Sequence, residues 1–205
     1  MALTERETAT KDQYNLTAEK WLEKSGGRNR PSYWESELKS LASCLAEGDT
    51  VLEVGCGPAT DAKFLRDLKL KTVSVDYSST MLKIAKEINP DSVLSEMDIY
   101  NTGFADNSFD GFCAIATLLH LEHPQKALKE IVRVTKDKGF GFISVKDGEK
   151  ETAMDKSGYY FNYFTDEEFS SLLTNSGFEV LDKVTDKTGS PRHNWMTYLV
   201  QVNKW

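Results

Sequence analysis

The stretch that decides the fold is Val51-Leu52-Glu53-Val54-Gly55-Cys56-Gly57-Pro58-Ala59-Thr60-Asp61. A short β-rich run, Thr50 to Val54, stops at two glycines. Pro58 can then open a helix at its first position, with Asp61, Phe64, Leu65 and Leu68 carrying it on. In an open α/β sheet such a strand–turn–helix junction is where a ligand binds, because glycine lets backbone approach it without a Cβ in the way. A Gly-x-Gly alone marks equally well a tight turn, so the neighbours decide.

Downstream the pattern repeats. Thr72 to Asp76 reads as a second strand, and Ser78 or Ser79 caps a helix carrying Met81, Leu82, Ala85 and Ile88, stopped by Asn89-Pro90. Strands follow at Val93–Met97, Phe109–Ala116 and Gly139–Val145, with Ala127, Leu128, Ile131 and Val132 as a helix face before the last. Upstream, Trp34, Leu38, Leu41, Ala42 and Leu45 sit at helical spacing. A helix over Asp166–Ser176 precedes two strands, Phe178–Val184 and Trp195–Val202, that no helix separates. The expectation is an α/β fold: a Rossmann-like doubly wound sheet, mostly parallel with an antiparallel C-terminal edge hairpin and helices on both faces. Residues 1–12 read as a flexible N-terminus and 13–205 as a single domain, with 147–165 as a substrate lid.

Composition narrows the class. The chain has 205 residues, a formal charge of −7, 40% hydrophobic and 28% charged residues. That suffices for one packed domain. An acidic surface disfavours broad nucleic-acid binding, leaving room only for a local patch around Arg28, Arg30, Lys146, Lys150 and Arg192. Cys44, Cys56 and Cys113 form no CxxC pair, and His123 has no flanking cysteine, so no metal site is expected. A polar N-terminus and the lack of a long apolar run point to a cytoplasmic protein without a membrane partner.

Three polar groups end three successive strands. Glu53 precedes the glycines and suits a cationic amino group better than a pyrophosphate. Asp76, nineteen residues after Gly57, is placed to accept from both hydroxyls of a ribose. Asp98 can accept from an adenine amino group, with the Ile99 backbone at the ring edge. The dinucleotide fingerprint fails because its last glycine position is Thr60, and no Gly-Lys-Ser/Thr follows for a P-loop.

On these segments the chain resembles the class I S-adenosylmethionine-dependent methyltransferases, in particular their small single-domain bacterial-type group. Glu53 to Gly57 resembles the first motif, Val75 to Ser78 the second and Met97-Asp98 the third. Phe109 to Phe112, leading through Ala116 to Leu121, resembles the fourth, and Arg133-Val134 with Lys138 to Phe140 resembles the segment before strand five. The similarity runs collinearly from about Tyr14 to Val145, with one departure: the family's third glycine is Ala59.

The resemblance implies S-adenosyl-L-methionine as cofactor. Gly55, Cys56 and Gly57 would line its methionine portion, beside Glu53. Asp76 would hold the ribose with Tyr77 and Met81 nearby, and Asp98 and Ile99 the adenine. Ala116 would offer its carbonyl to the amino group, and Tyr14 would close over the cofactor.

His120, beyond the fourth strand, is the candidate general base, or equally a structural histidine. Tyr159, Tyr160 and Tyr163, in an aromatic cluster with Phe161 and Phe164, and Arg192 are candidate substrate contacts, although aromatics of this kind are more often core. The expected activity is in-line methyl transfer to a small molecule or short peptide. The alternatives are an RNA or tRNA methyltransferase, a non-catalytic cofactor-binding protein of the same fold, and, last, a nicotinamide-dependent oxidoreductase.

Overall fold

A computed structural model describes residues 3–27, 34–148, 153–186 and 194–204. Five strands run parallel: β1 (Thr50–Val54), β2 (Lys71–Asp76), β3 (Val93–Glu96), β4 (Phe109–Ile115) and β5 (Thr135–Lys146). β8 (Phe178–Asp186) and β9 (Trp195–Val202) close the sheet antiparallel, in the order β3-β2-β1-β4-β5-β9-β8. The Rossmann-like expectation, with its antiparallel C-terminal pair, is borne out.

Both faces are covered because neighbouring strand residues point opposite ways. Leu52, Phe112 and Ile143 pack against α5 (Pro124–Val134) and α6 (Asp166–Asn175). Their neighbours Val51, Cys113 and Phe142 pack against α2 (Glu35–Ser43) and α3 (Thr60–Asp67). The remaining crossover helix is α4 (Ser79–Ile88), whose N-cap Ser78 accepts from the Met81 amide at 3.1 Å. A short antiparallel pair, β6 (Ala153–Met154) with β7 (Tyr160–Phe161), lies within the segment expected to form a lid. Among the described residues no helix is long and apolar enough to cross a membrane.

The N-terminus corrects the sequence reading. Residues 5–12, expected to be flexible, belong to α1 (Glu5–Lys24), opened by a capping box between Thr4 and Glu7. Its first turns are held by polar contacts that hydrophobic periodicity does not reveal. Glu7 is fully buried and accepts from the Tyr100 hydroxyl and the Glu122 amide, while Thr10 Oγ1 accepts from the Tyr160 amide at 2.9 Å. Further along, Asn15 Oδ1 accepts from Ser78 Oγ and the Thr80 amide. Ala18 and Leu22 then pack on Met81 and Ile84. α1 therefore spans the carboxyl end of the parallel strands as a roof.

Candidate active site

Beneath that roof lies a cavity of about 340 Å³. Its floor is the turn after β1. Gly55 has φ +67, and a Cβ there would lie 2.1 Å from Thr117 Oγ1, which itself donates to the Val54 and Ile115 carbonyls. Gly57 also has positive φ (+48), but a Cβ there would meet nothing within 4 Å and would project into open space. One glycine is required by packing and the other leaves a bare stretch of backbone.

Ala59, where the family has glycine, adopts φ 54 and is fully buried beside Cys56, Ala62 and Ala85. A left-handed alanine is strained by about 1–2 kcal/mol. Asn89 Nδ2 holds the turn by donating to the Pro58 and Ala59 carbonyls. Ala59 has no side chain with which to cap α3. Glu53 does so instead from β1, its Oε1 accepting from the Ala62 amide at 3.2 Å.

Glu53 Oε2 and the facing Ser74 Oγ are buried without a hydrogen-bond partner among the described residues. Burial, reinforced by the charge of Asp61, pushes the Glu53 carboxyl up to about 8.

Asp76 fastens the turn to β2. Its Oδ2 accepts from the Gly57 amide and its Oδ1 from the Ser78 amide, each at 2.8 Å. Burial raises its pKa, and these N–H bonds oppose the rise. Each oxygen has accepted one hydrogen bond here and keeps capacity for another, and Asp76 lines the cavity. Tyr77, Met81, Met97 and Ile99 continue the wall toward β3.

On the opposite side Ala116 ends β4 with φ 53, its amide held by the Ser144 carbonyl and Oγ. His120 follows in a single 3-10 turn, Leu118–His120. Its Nδ1 lies 2.7 Å from the Tyr160 carbonyl, which only accepts, so Nδ1 carries the hydrogen. Nε2 is then the acceptor for the Tyr14 hydroxyl at 2.9 Å. Burial depresses the His120 pKa to about 4, so the ring is neutral with both nitrogens engaged.

The residues expected around a ligand divide into three groups. Tyr14, Gly55, Cys56, Gly57, Asp76 and Tyr77 line the cavity together, as do Met81, Ile99, Ala116 and His120. Glu53 and Asp98 are not among the lining residues: Glu53 caps α3, and Asp98 turns back to accept from the Tyr100 amide. Tyr159, Tyr160 and Tyr163 also stand off the wall. Tyr159 packs on the Tyr14 ring at 4.7 Å, Tyr160 is buried under Arg6, and Tyr163 stacks on Phe161. Arg192 lies outside the described residues, as do Arg28, Arg30 and Lys150.

Sequence reasoning missed several wall residues. Asp61 is the acidic side chain that faces the cavity where Glu53 was expected. Trp34 was read as part of a helix face and Trp195 as the start of a strand, and Trp21 was not singled out, yet all three line the cavity. Nothing in helical or strand period distinguishes a core tryptophan from one that walls a ligand site.

The comparisons agree with this geometry. Residues 52–143 match the family described as "Methyltransferase domain". Over this central part, less than half of the 205 residues, the chain is similar to that family. Its matched part holds the glycine turn, Asp76, Asp98, Ala116 and His120.

A demethylmenaquinone methyltransferase of Renibacterium salmoninarum is 39% identical over 92 residues, 45% of this chain and 39% of that protein. The chain thus spans about two fifths of the length of the first curated relatives it matches. Among solved structures, the 1,6-didemethyltoxoflavin-N1-methyltransferase of Burkholderia thailandensis superposes with a TM-score of 0.78 at 14% identity. That match covers 100% of this chain and 92% of the other. The [4+2]-cyclase SpnF superposes equally well, at TM-score 0.78 and 18% identity, covering 100% and 98%. At these identities the chain shares a fold with both, and the fold does not choose between their chemistries.

Proposed function

We propose that this chain transfers a methyl group from S-adenosylmethionine to a small molecule or a short peptide. The observation that carries the reading is the Asp76 carboxylate, which pins the bare Gly57 turn while keeping acceptor capacity toward the cavity. That pairing suits an adenosyl ligand: the ribose diol takes the remaining Asp76 lone pairs, and Met97 and Ile99 offer flat apolar contact to the adenine. Asp61 and the Ala116 carbonyl supply acceptors for the ammonium of the methionine portion.

Bound there, the cofactor supplies a methyl group on a sulfonium, transferred as the acceptor's lone pair forms the new bond and the old bond's electrons return to sulfur. The chain's own part is positioning and water exclusion, worth at best about 7–11 kcal/mol of barrier. We assign His120 to positioning. Its ring nitrogens are committed to Tyr160 and Tyr14, so it holds the Tyr14 ring over the cavity and is a poor base while that bond stands.

Calorimetry with S-adenosylhomocysteine tests the binding step. Micromolar affinity is expected, falling at least about 30-fold in Asp76→Asn, which weakens the charge-assisted bonds to Gly57 and Ser78. A folded wild-type protein that ignores the ligand rejects the reading. A labelled-methyl screen across metabolite, peptide and tRNA pools then identifies the acceptor class.

A further inference from the structure

The cavity is electrically polarised along the sheet edge. Read across the carboxyl ends of the strands, the order is β3 with Met97 and Ile99, β2 with Asp76, β1 with the glycine turn, β4 with Ala116, β5 with Lys146 and β9 with Trp195. Adjacent strands lie about 4.8 Å apart, so the β5–β9 end stands roughly 14–19 Å from Asp76. The acidic groups, Asp61 and Asp76, belong to the β1–β2 end. The β5–β9 end is aromatic. Trp34 and Trp195 meet edge to face at 5.5 Å and both line the cavity.

Behind this aromatic wall stands a cation. Lys146 ends β5 directly opposite Trp195 in the strand register, with Nζ 5.5 Å from the Trp195 ring and 5.9 Å from the Phe161 ring. Phe161 in turn packs on the lining residue His120 at 4.9 Å, so Lys146 stands one aromatic layer behind the wall, against Trp195 on one side and Phe161 on the other. Among the described residues no carboxylate forms an ion pair with it. The His120 ring beside it is neutral, with no N–H left over.

We infer that the methyl acceptor is a planar aromatic anion, its ring received by Trp34 and Trp195 and its carboxylate or comparable acidic group turned toward Lys146. This rests on the methyltransferase reading, because it assigns the β1–β2 end to the cofactor. A cationic acceptor is disfavoured by the ammonium at this end. A neutral ring would leave that charge, which already sits over aromatic faces, without its counter-ion.

The test uses the whole chain saturated with S-adenosylhomocysteine and reads tryptophan fluorescence and ligand-observed NMR. The probes are 4-hydroxybenzoate, 4-hydroxybenzyl alcohol and 4-hydroxybenzylamine, which share a ring and differ in charge. The hydroxybenzoate is expected to bind at least ten-fold more tightly than the amine. Lys146→Ala and Lys146→Gln are expected to abolish that preference, and Lys146→Arg to keep it within about three-fold, while S-adenosylhomocysteine affinity stays within about two-fold in all variants. Equal or tighter binding of the amine or the alcohol overturns the inference, as does an unchanged preference in Lys146→Ala. Because cofactor binding is measured separately, loss of the methyltransferase reading shows as no S-adenosylhomocysteine binding. Loss of this inference alone shows as bound cofactor without charge preference.

Discussion

Tyr14 donates its hydroxyl hydrogen to Nε2 of His120 at 2.9 Å, joining the first helix to the end of the fourth strand across 106 residues. The direction of that bond follows from the Tyr160 carbonyl on the other ring nitrogen. Removing the hydroxyl in Tyr14→Phe is expected to cost about 1 kcal/mol, the net worth of one buried hydrogen bond. A double-mutant cycle of Tyr14→Phe with His120→Ala, followed by urea unfolding, should return a coupling of about the same size. Additive single effects would show that the two side chains do not interact.

The same histidine makes stability depend on pH. Its folded pKa is depressed to about 4 from 6.5, so between those values the unfolded chain binds the extra proton. The stabilisation is complete above 6.5 and fades as pH falls toward 4, by roughly 3 kcal/mol at most. The unfolding free energy of wild type relative to His120→Asn should therefore grow from pH 4 to 7.

Glu53 acts in the opposite sense. Its folded pKa is raised to about 8 from 4.5, so across that window the folded state keeps a proton that the unfolded chain has lost. Stability falls as pH rises from 4.5 to 8, by an amount on the order of a few kcal/mol. Glu53→Gln keeps an acceptor for the Ala62 amide and has no proton to lose. It should be more stable than wild type at pH 8.5 and lose this advantage at pH 5. Between pH 4.5 and 6.5 the two slopes offset each other in wild type, and each variant exposes the slope that remains.

The two glycines of the turn separate folding from binding. Gly55→Ala drives a Cβ into Thr117 at a positive φ and is expected to cost more than about 3 kcal/mol. Gly57→Ala meets open space and is expected to cost only about 1 kcal/mol of backbone strain. Its methyl occupies the bare approach, so S-adenosylhomocysteine affinity should fall at least ten-fold while the protein stays folded. Thermal melts alongside calorimetry check both arms.

The fold was legible because its strands carry the β-branched and aromatic residues that a two-sided sheet needs, as in Val51–Val54 and Phe109–Ile115. The glycine turn and Asp76 were legible for the same reason, since strand ends locate them. α1 was not. Its buried groups include Glu7 and Thr10, whose partners Tyr100, Glu122 and Tyr160 lie far along the chain. Period analysis scores such residues as solvent-facing. Asp98 shows the converse: it was placed at the right strand end, but its carboxylate satisfies its own loop. The tryptophans show a third failure, because burial against a ligand and burial in a core require the same residue type.

The roof helix also sets an order of events during synthesis. α1 leaves the ribosome before the strands it covers, yet its Thr10 waits for the amide of Tyr160, 150 residues later, and its Glu7 for the amide of Glu122. Contacts of such long range form late, after the intervening chain has been translated and its loop closed. The nascent protein therefore builds its glycine turn and strand ends with the ligand crevice open to solvent, and a helix made before those strands is set in place after them.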